Sequence, residues 1–156
     1  VKIVNRTYNT VKSHFSNYEP INVMAARLSV PYCIAVCAAK RNGGLDAFHM
    51  ETINDPVVQD MLKKVEIVAD PELHKLYPEK FPSHIEITTK DGKLYTGEMY
   101  YAKGSRNNPF TNEEINQKFT DLALPMMDKG RVAQIVQMAE HLEDVKDIKE
   151  FSRLFA

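Results

Sequence analysis

The chain has 156 residues and a mass of 17.8 kDa, enough for one ordinary domain with a real core or for a smaller domain with a helical appendage. Charged residues make up 26% and hydrophobic ones 44%, with no Gly-, Pro- or Ser-rich tract, which is the composition of a globular protein and not of a disordered one. Twenty basic against twenty-one acidic residues give a formal net charge of -1 with no run of either sign, so nothing would track a phosphate backbone and nucleic-acid binding is disfavoured.

Val1 to Tyr8 has the β-branched content of a strand, and the polar stretch from there to Pro20 shows no clear period and reads as irregular or weakly helical. From Asn22 to Lys40 the chain is rich in Ala, Met, Leu and Ile. Pro31 suits the first turn after a capping Ser29, and Asn42-Gly43-Gly44 is a stop, so this segment predicts a largely buried helix. Its apolar run, Val30 to Ala39, is too short to span a bilayer, and Val1 opens no signal segment; the expectation is a cytosolic-type protein with no membrane partner. Cys33 and Cys37, the two cysteines, stand four apart on one helix face, which predicts buried small residues and not a disulfide or a cluster motif.

Asp55-Pro56 is a helix start followed by Val57, Val58, Met61, Leu62 and Val65 at helical spacing. Glu66 to Ala69 follows as a short strand, and Asp70-Pro71-Glu72 starts a short helix towards Tyr77. His84 to Thr88 alternates polar and apolar, meets Asp91-Gly92 and continues as Leu94 to Tyr101, the pattern of a two-residue β-hairpin. A regular turn there would set Ile85 opposite Glu98, so a bulge or a slipped register is the alternative.

Past the polar loop Gly104 to Pro109, Thr111 and Glu114 form a capping box for a helix with Ile115, Phe119, Leu122 and Ala123 on one face, which Pro125 ends or kinks. A further helix starts near Asp128 with Val132, Ile135, Val136, Ala139 and Leu142 in register, before a terminal helical piece with Phe151, Leu154 and Phe155. The Met126-Met127 pair and the Val132 stripe read most simply as core, or as uncovered apolar surface if the chain is truncated. Strands and helices do not alternate and the hairpin forces an antiparallel component. The predicted class is α+β: a small mixed or antiparallel sheet with a hairpin and flanking helices, then C-terminal helices.

Three stretches, in this order and spacing, resemble the MmgE/PrpD family. They are Ala25 through Ser29-Val30-Pro31-Tyr32-Cys33 to Ala35; Asn54-Asp55-Pro56-Val57-Val58 leading into Lys64 to Ile67; and Ile85 through Asp91-Gly92 to Lys103-Gly104, with Asn108-Pro109-Phe110-Thr111 after it. The resemblance covers nearly the whole chain. It implies the C-terminal portion of an enzyme of the kind that includes 2-methylcitrate dehydratase, cis-aconitate decarboxylase and iminodisuccinate epimerase, which act on small polycarboxylates without a cofactor. In that family a helical domain and a smaller α+β lid enclose a cleft. Residues 1-110 would be lid-like and residues 111-156 the C-terminal helices that return to the helical domain, which is itself expected to be missing here together with most of the catalytic histidines and the lysine.

Such chemistry needs an acid and a base around one carbon and cations for the carboxylates. By resemblance, Tyr32 of the Ser-x-Pro-Tyr stretch is the catalytic position, facing the cleft; read without the family, it is a packing aromatic at the start of an apolar helix. Lys103 and Arg106, flanking Gly104, could bind a substrate carboxylate, although a solvated loop is the commoner explanation for two such charges. His49 suggests an acid-base pair with Glu51, against the plainer reading of a surface histidine. His14, His74, His84 and His141 fall in separate elements, so no metal is predicted, and no Gly-rich phosphate loop exists. Three functional readings follow: a part of a longer enzyme, a free-standing subunit completed by a partner chain that supplies the helical domain, and a non-catalytic module of the same fold. The wide apolar stripes of the last helices predict a homo-oligomer if no helical domain covers them.

Overall fold

β-Branched Ile3, Val4 and Thr7 make the first strand, β1 (Lys2–Thr7), whose alternation buries Ile3, Asn5 and Thr7 on one face. β1 pairs in parallel with β2 (Val65–Ala69), Ile3 opposite Val65, and antiparallel with β3 (Ser83–Thr88), Ile3 opposite Ile87. β3 continues antiparallel to β4 (Leu94–Met99), giving a mixed four-stranded sheet in the order β2-β1-β3-β4. The fold is α+β, as predicted. The computed structural model describes residues 1–155, so Ala156, the end of the expected terminal helices, lies outside the described residues. The chain forms two compact units that divide between Ala102 and Lys103.

The hairpin differs from a two-residue turn. The Thr89 N–H donates to the Lys93 carbonyl at 2.9 Å and the Gly92 N–H to the Thr89 carbonyl at 3.0 Å, with Gly92 at φ 81. The turn therefore holds Lys90, Asp91 and Gly92, the glycine taking the left-handed position that a three-residue loop requires. The extra residue slips the register by one, setting Ile85 opposite Gly97 instead of Glu98.

The segment from Asn22 to Lys40 is two helices, α2 (Val23–Arg27) and α3 (Val30–Lys40), after a short α1 (Asn9–His14) in the stretch read as irregular or weakly helical. The break has a cause: Pro31 has no N–H to continue α2, while the Ser29 hydroxyl accepts from the Tyr32 N–H at 3.1 Å and restarts the chain as α3. α3 ends at Arg41, itself left-handed at φ 55, one residue before the Asn-Gly-Gly stop. A 3-10 turn (Leu45–Phe48) and α4 (Met50–Ile53) lead into α5 (Pro56–Leu62), capped by Asp55, whose carboxylate accepts from the Val57 N–H at 2.7 Å. After β2, Asp70 caps α6 (Pro71–His74).

α3 lies against α5 and β2, and Ile3, Val11, Ala26, Tyr32, Ala35, Val36, Ile53, Val58, Leu62, Val65 and Ile67 form one core. Cys33 is only half-buried and Cys37 is exposed, a correction to the expected burial. The face of α3 that meets the core carries Tyr32, Ala35 and Val36, and the cysteines flank it. The buried Thr7 and Asn5 side chains are satisfied: the Thr7 hydroxyl donates to the Pro82 carbonyl at 2.7 Å and the Ser83 hydroxyl to the Asn5 side-chain oxygen at 2.7 Å. The opposite face of the sheet carries the ion pairs Lys2–Glu66 at 2.9 Å and Arg6–Glu86 at 3.2 Å, as a wetted surface does.

The second unit contains α7 (Asn112–Ala123), α8 (Lys129–Glu140) and α9 (Ile148–Arg153). The Thr111–Glu114 capping box forms as read, and Asp128 caps α8 by accepting from the Arg131 N–H at 3.0 Å. The expected apolar faces are only partly covered. Ala123, Val132 and Ile135 are buried, whereas Ile115, Leu122 and Met126 are exposed, Met126 at 81%. Among the described residues no helix is long and apolar enough to cross a membrane.

Candidate functional site

Tyr32 enters the site question from the restart of α3. Ser29, fully buried, is tied to the preceding loop by its hydroxyl, which donates to the Asn17 carbonyl, while Val30 donates its N–H to the Phe15 carbonyl at 2.8 Å. This fixes the first turn of α3 and turns the Tyr32 ring into the core, where it has no solvent exposure. Its hydroxyl donates to the carbonyl of Ala47 in the 3-10 turn, and its ring lies 6.0 Å from that of Phe48 at a 53° tilt. Burial, with a smaller effect from the neighbouring Cys33, pushes the phenol above its ordinary range, so the group is held protonated. Cys33 is itself pushed up to about 11, by burial first and by Cys37 second. Within the first unit Tyr32 thus has the geometry of a packing aromatic with a satisfied hydroxyl, and the phenol does not face an open surface.

Lys103 and Arg106 belong to the second unit, in the loop that enters α7. The loop is pinned by two backbone bonds, Gly104 N–H to the Asn108 carbonyl at 2.7 Å and Asn108 N–H to the Ser105 carbonyl at 3.1 Å. Gly104 has φ 88, and a Cβ there would meet the Phe110 ring at 2.6 Å, so the ring packs directly on the glycine backbone. The Lys103 ammonium lies 2.8 Å from the Glu114 carboxylate and 5.7 Å from the Phe110 ring centre. Lys118, unremarked in the sequence, stands over the same ring at 5.4 Å. Hydrogen bonding by Lys103, then by the Thr111 N–H, holds the Glu114 carboxyl below its usual range. Arg106 stands exposed at the loop tip, with no carboxylate in ion-pair reach among the described residues. The loop is a cationic edge on an aromatic base, with one of its charges already neutralised by Glu114.

The carboxylate nearest His49 is Asp46, at 3.8 Å, and not Glu51, and both partners are well exposed. No group of three or more His, Cys, Asp or Glu side chains among the described residues is arranged to hold a metal ion. The Ala47 acceptor and the Lys118–Phe110 contact were invisible to pattern reading, because a backbone carbonyl and a side chain eight residues from its ring leave no spacing signature. The capping Ser29 was the one signal that located Tyr32 on its helix.

Comparison with known proteins sets these residues in context. Residues 1–144 match the MmgE/PrpD C-terminal domain. The chain is 31% identical over 134 residues to cis-aconitate decarboxylase of Mus musculus, covering 83% of this chain and 26% of that protein. It is 30% identical over 141 residues to cis-aconitate decarboxylase of Homo sapiens, covering 86% of this chain and 28% of that protein. The chain therefore spans about a quarter of the length of these relatives. With nearly the whole of its length inside that domain, the chain belongs to the MmgE/PrpD family.

Proposed function

We propose that this chain is the C-terminal domain of an enzyme that dehydrates, decarboxylates or epimerises a small polycarboxylate, with the principal acid-base groups supplied by a helical domain. The observation that carries this reading is the similarity to two cis-aconitate decarboxylases across more than four fifths of the chain. In this reading Tyr32 meets substrate as a hydrogen-bond or proton donor, and Lys103 and Arg106 bind carboxylates. Arg106 has a free guanidinium for that task, while Lys103 must exchange Glu114 for substrate. No metal or organic cofactor is invoked.

The apolar side chains exposed on the second unit support the need for a covering partner. Ile115, Leu122, Leu124, Leu142 and Ile148 are each more than two fifths exposed. A helical domain is the occupant this reading assigns; without one, a second copy of the chain is the alternative, giving a homo-oligomer.

The test is turnover of 2-methylcitrate, cis-aconitate and iminodisuccinate by this chain alone and after mixing with a separately produced helical domain. Turnover confined to the mixture is expected. Turnover by the chain alone removes the need for a helical domain, and none in either case favours a non-catalytic module.

A further inference from the structure

A tyrosine has one hydroxyl proton to donate, and that of Tyr32 is directed at the Ala47 carbonyl. Any role for the phenol as a donor to substrate therefore requires that carbonyl to move away. The stretch that carries it is attached lightly. From Arg41 to Asp46 every residue is exposed, and Ala47 is the one buried residue between Arg41 and Met50. The stretch begins at a left-handed Arg41 and runs through Asn42-Gly43-Gly44, where the Gly44 N–H is held by the Asn42 side chain at 2.7 Å. At its far end the Thr52 hydroxyl donates to the Asp46 carbonyl at 2.8 Å. These local bonds hold the turn's own shape, and the links of Ala47 and Phe48 to the helices hold it down.

The second link is Phe48. Its ring meets Tyr32 on one side, while the Arg27 guanidinium of α2 stands 5.9 Å from its centre. Arg27 is exposed, has no carboxylate in ion-pair reach among the described residues, and stands over this ring instead. One aromatic side chain of the turn thus touches both the buried phenol and an exposed guanidinium. Lifting the turn would uncover the phenol and release the already exposed guanidinium from the ring, making available a planar cation with two parallel donors and a neutral O–H donor, which is a donor set that binds a carboxylate.

We propose that Arg27 is the carboxylate-binding partner of Tyr32 and that residues 44–49 are a latch that covers Tyr32 and engages Arg27 through Phe48 in the empty protein. The inference rests on the reading of Tyr32 as a substrate-facing group. Substrate carboxylate displaces Phe48 from Arg27 and the Ala47 carbonyl from Tyr32, so binding and opening are one event.

Amide hydrogen exchange of residues 44–49, measured on this chain with and without cis-aconitate, tests it. Cis-aconitate is expected to speed exchange of the latch while the strands keep their rates. Arg27→Gln, a surface change that should fold normally, is expected to abolish that response and weaken cis-aconitate binding by roughly tenfold, the loss expected for one charge-assisted hydrogen bond. Arg27→Lys should restore part of it. A Cβ at Gly43 would lie 3.0 Å from the Cys37 sulfur, so Gly43→Cys can be oxidised onto Cys37 to pin the base of the latch; the response should vanish on oxidation and return on reduction. Exchange that cis-aconitate leaves unchanged, or a response that survives Arg27→Gln, overturns the proposal. Turnover in the two-domain mixture that needs Tyr32 but ignores Arg27→Gln also overturns it while leaving the domain reading intact, whereas a mixture without turnover removes the domain reading.

Discussion

The two units of this chain reach order by different routes. The first wraps helices over a sheet and closes a core with Ile3, Tyr32, Ile53, Val58 and Ile67 essentially out of solvent, so its secondary structure is held by burial. Among its described residues the second buries only the apolar side chains of Ala123, Val132 and Ile135, yet it has three helices with capped starts. Its order is written locally, in the capping box at Thr111, the Asp128 and Asp147 caps, and a glycine packed under Phe110. A helix can thus be specified by its ends without being stabilised by its face, and such a unit is suited to complete its core on another surface.

The largest expected effect separates the two directly. Ile67→Ala should cost about 2–5 kcal/mol in denaturant unfolding of the first unit, since it empties a site in a closed core. The same truncation at Ile135, buried at 3% but within a much smaller apolar cluster that can collapse around the gap, should cost less. Equal losses would break the comparison and mean that the second unit has a core of its own.

A smaller effect, confined to the second unit, is expected from Gly104→Ala. The new Cβ meets Phe110 and the backbone stays left-handed, at a cost of about 1–3 kcal/mol. Faster exchange of the Asn108 amide and of the first turn of α7, with the sheet unchanged, is the expected signature. A change that spreads to the sheet would show that the units are not separately ordered.

The smallest effect lies in the first unit and appears only in alkali. The Cys33 thiol is raised from 9.0 to about 11, chiefly by burial. A group whose folded pKa is raised contributes stability that is complete below its unfolded value and is lost as pH rises through the folded one. Wild type should therefore lose stability between about pH 9 and pH 11 more steeply than Cys33→Ala does. Identical slopes in midpoint measurements across that window would mean that the thiol is not desolvated.

Much of the fold was legible before the structure. Proline after an acidic cap marked α5 and α6, and the Thr-x-x-Glu spacing marked α7, because these signals act within one turn of backbone. The break between α2 and α3 was missed despite Ser29 and Pro31 both being read, since a long apolar run hides a single interruption. The hairpin's turn length escaped for a related reason: Asp-Gly serves two-residue and three-residue loops alike, and the closing Thr89–Lys93 pair chooses between them. Of the candidate site, the residues were legible but their surroundings were not. Nothing local announces that Tyr32 reaches a carbonyl fifteen residues away, or that Lys103 faces Glu114.

The position of β1 has a consequence for how the chain acquires its shape. β1 is an inner strand, yet its partners arrive late: β2 begins at Val65 and β3 at Ser83. On a growing chain its six residues must wait unpaired while some sixty others are added, with only the short helices between them able to form as they appear. The β3–β4 hairpin, closed by a turn of three residues, is the quickest pairing available. β2 has β1 as its one neighbour in the sheet, so the earliest-made strand is the one through which the parallel edge and the hairpin are joined.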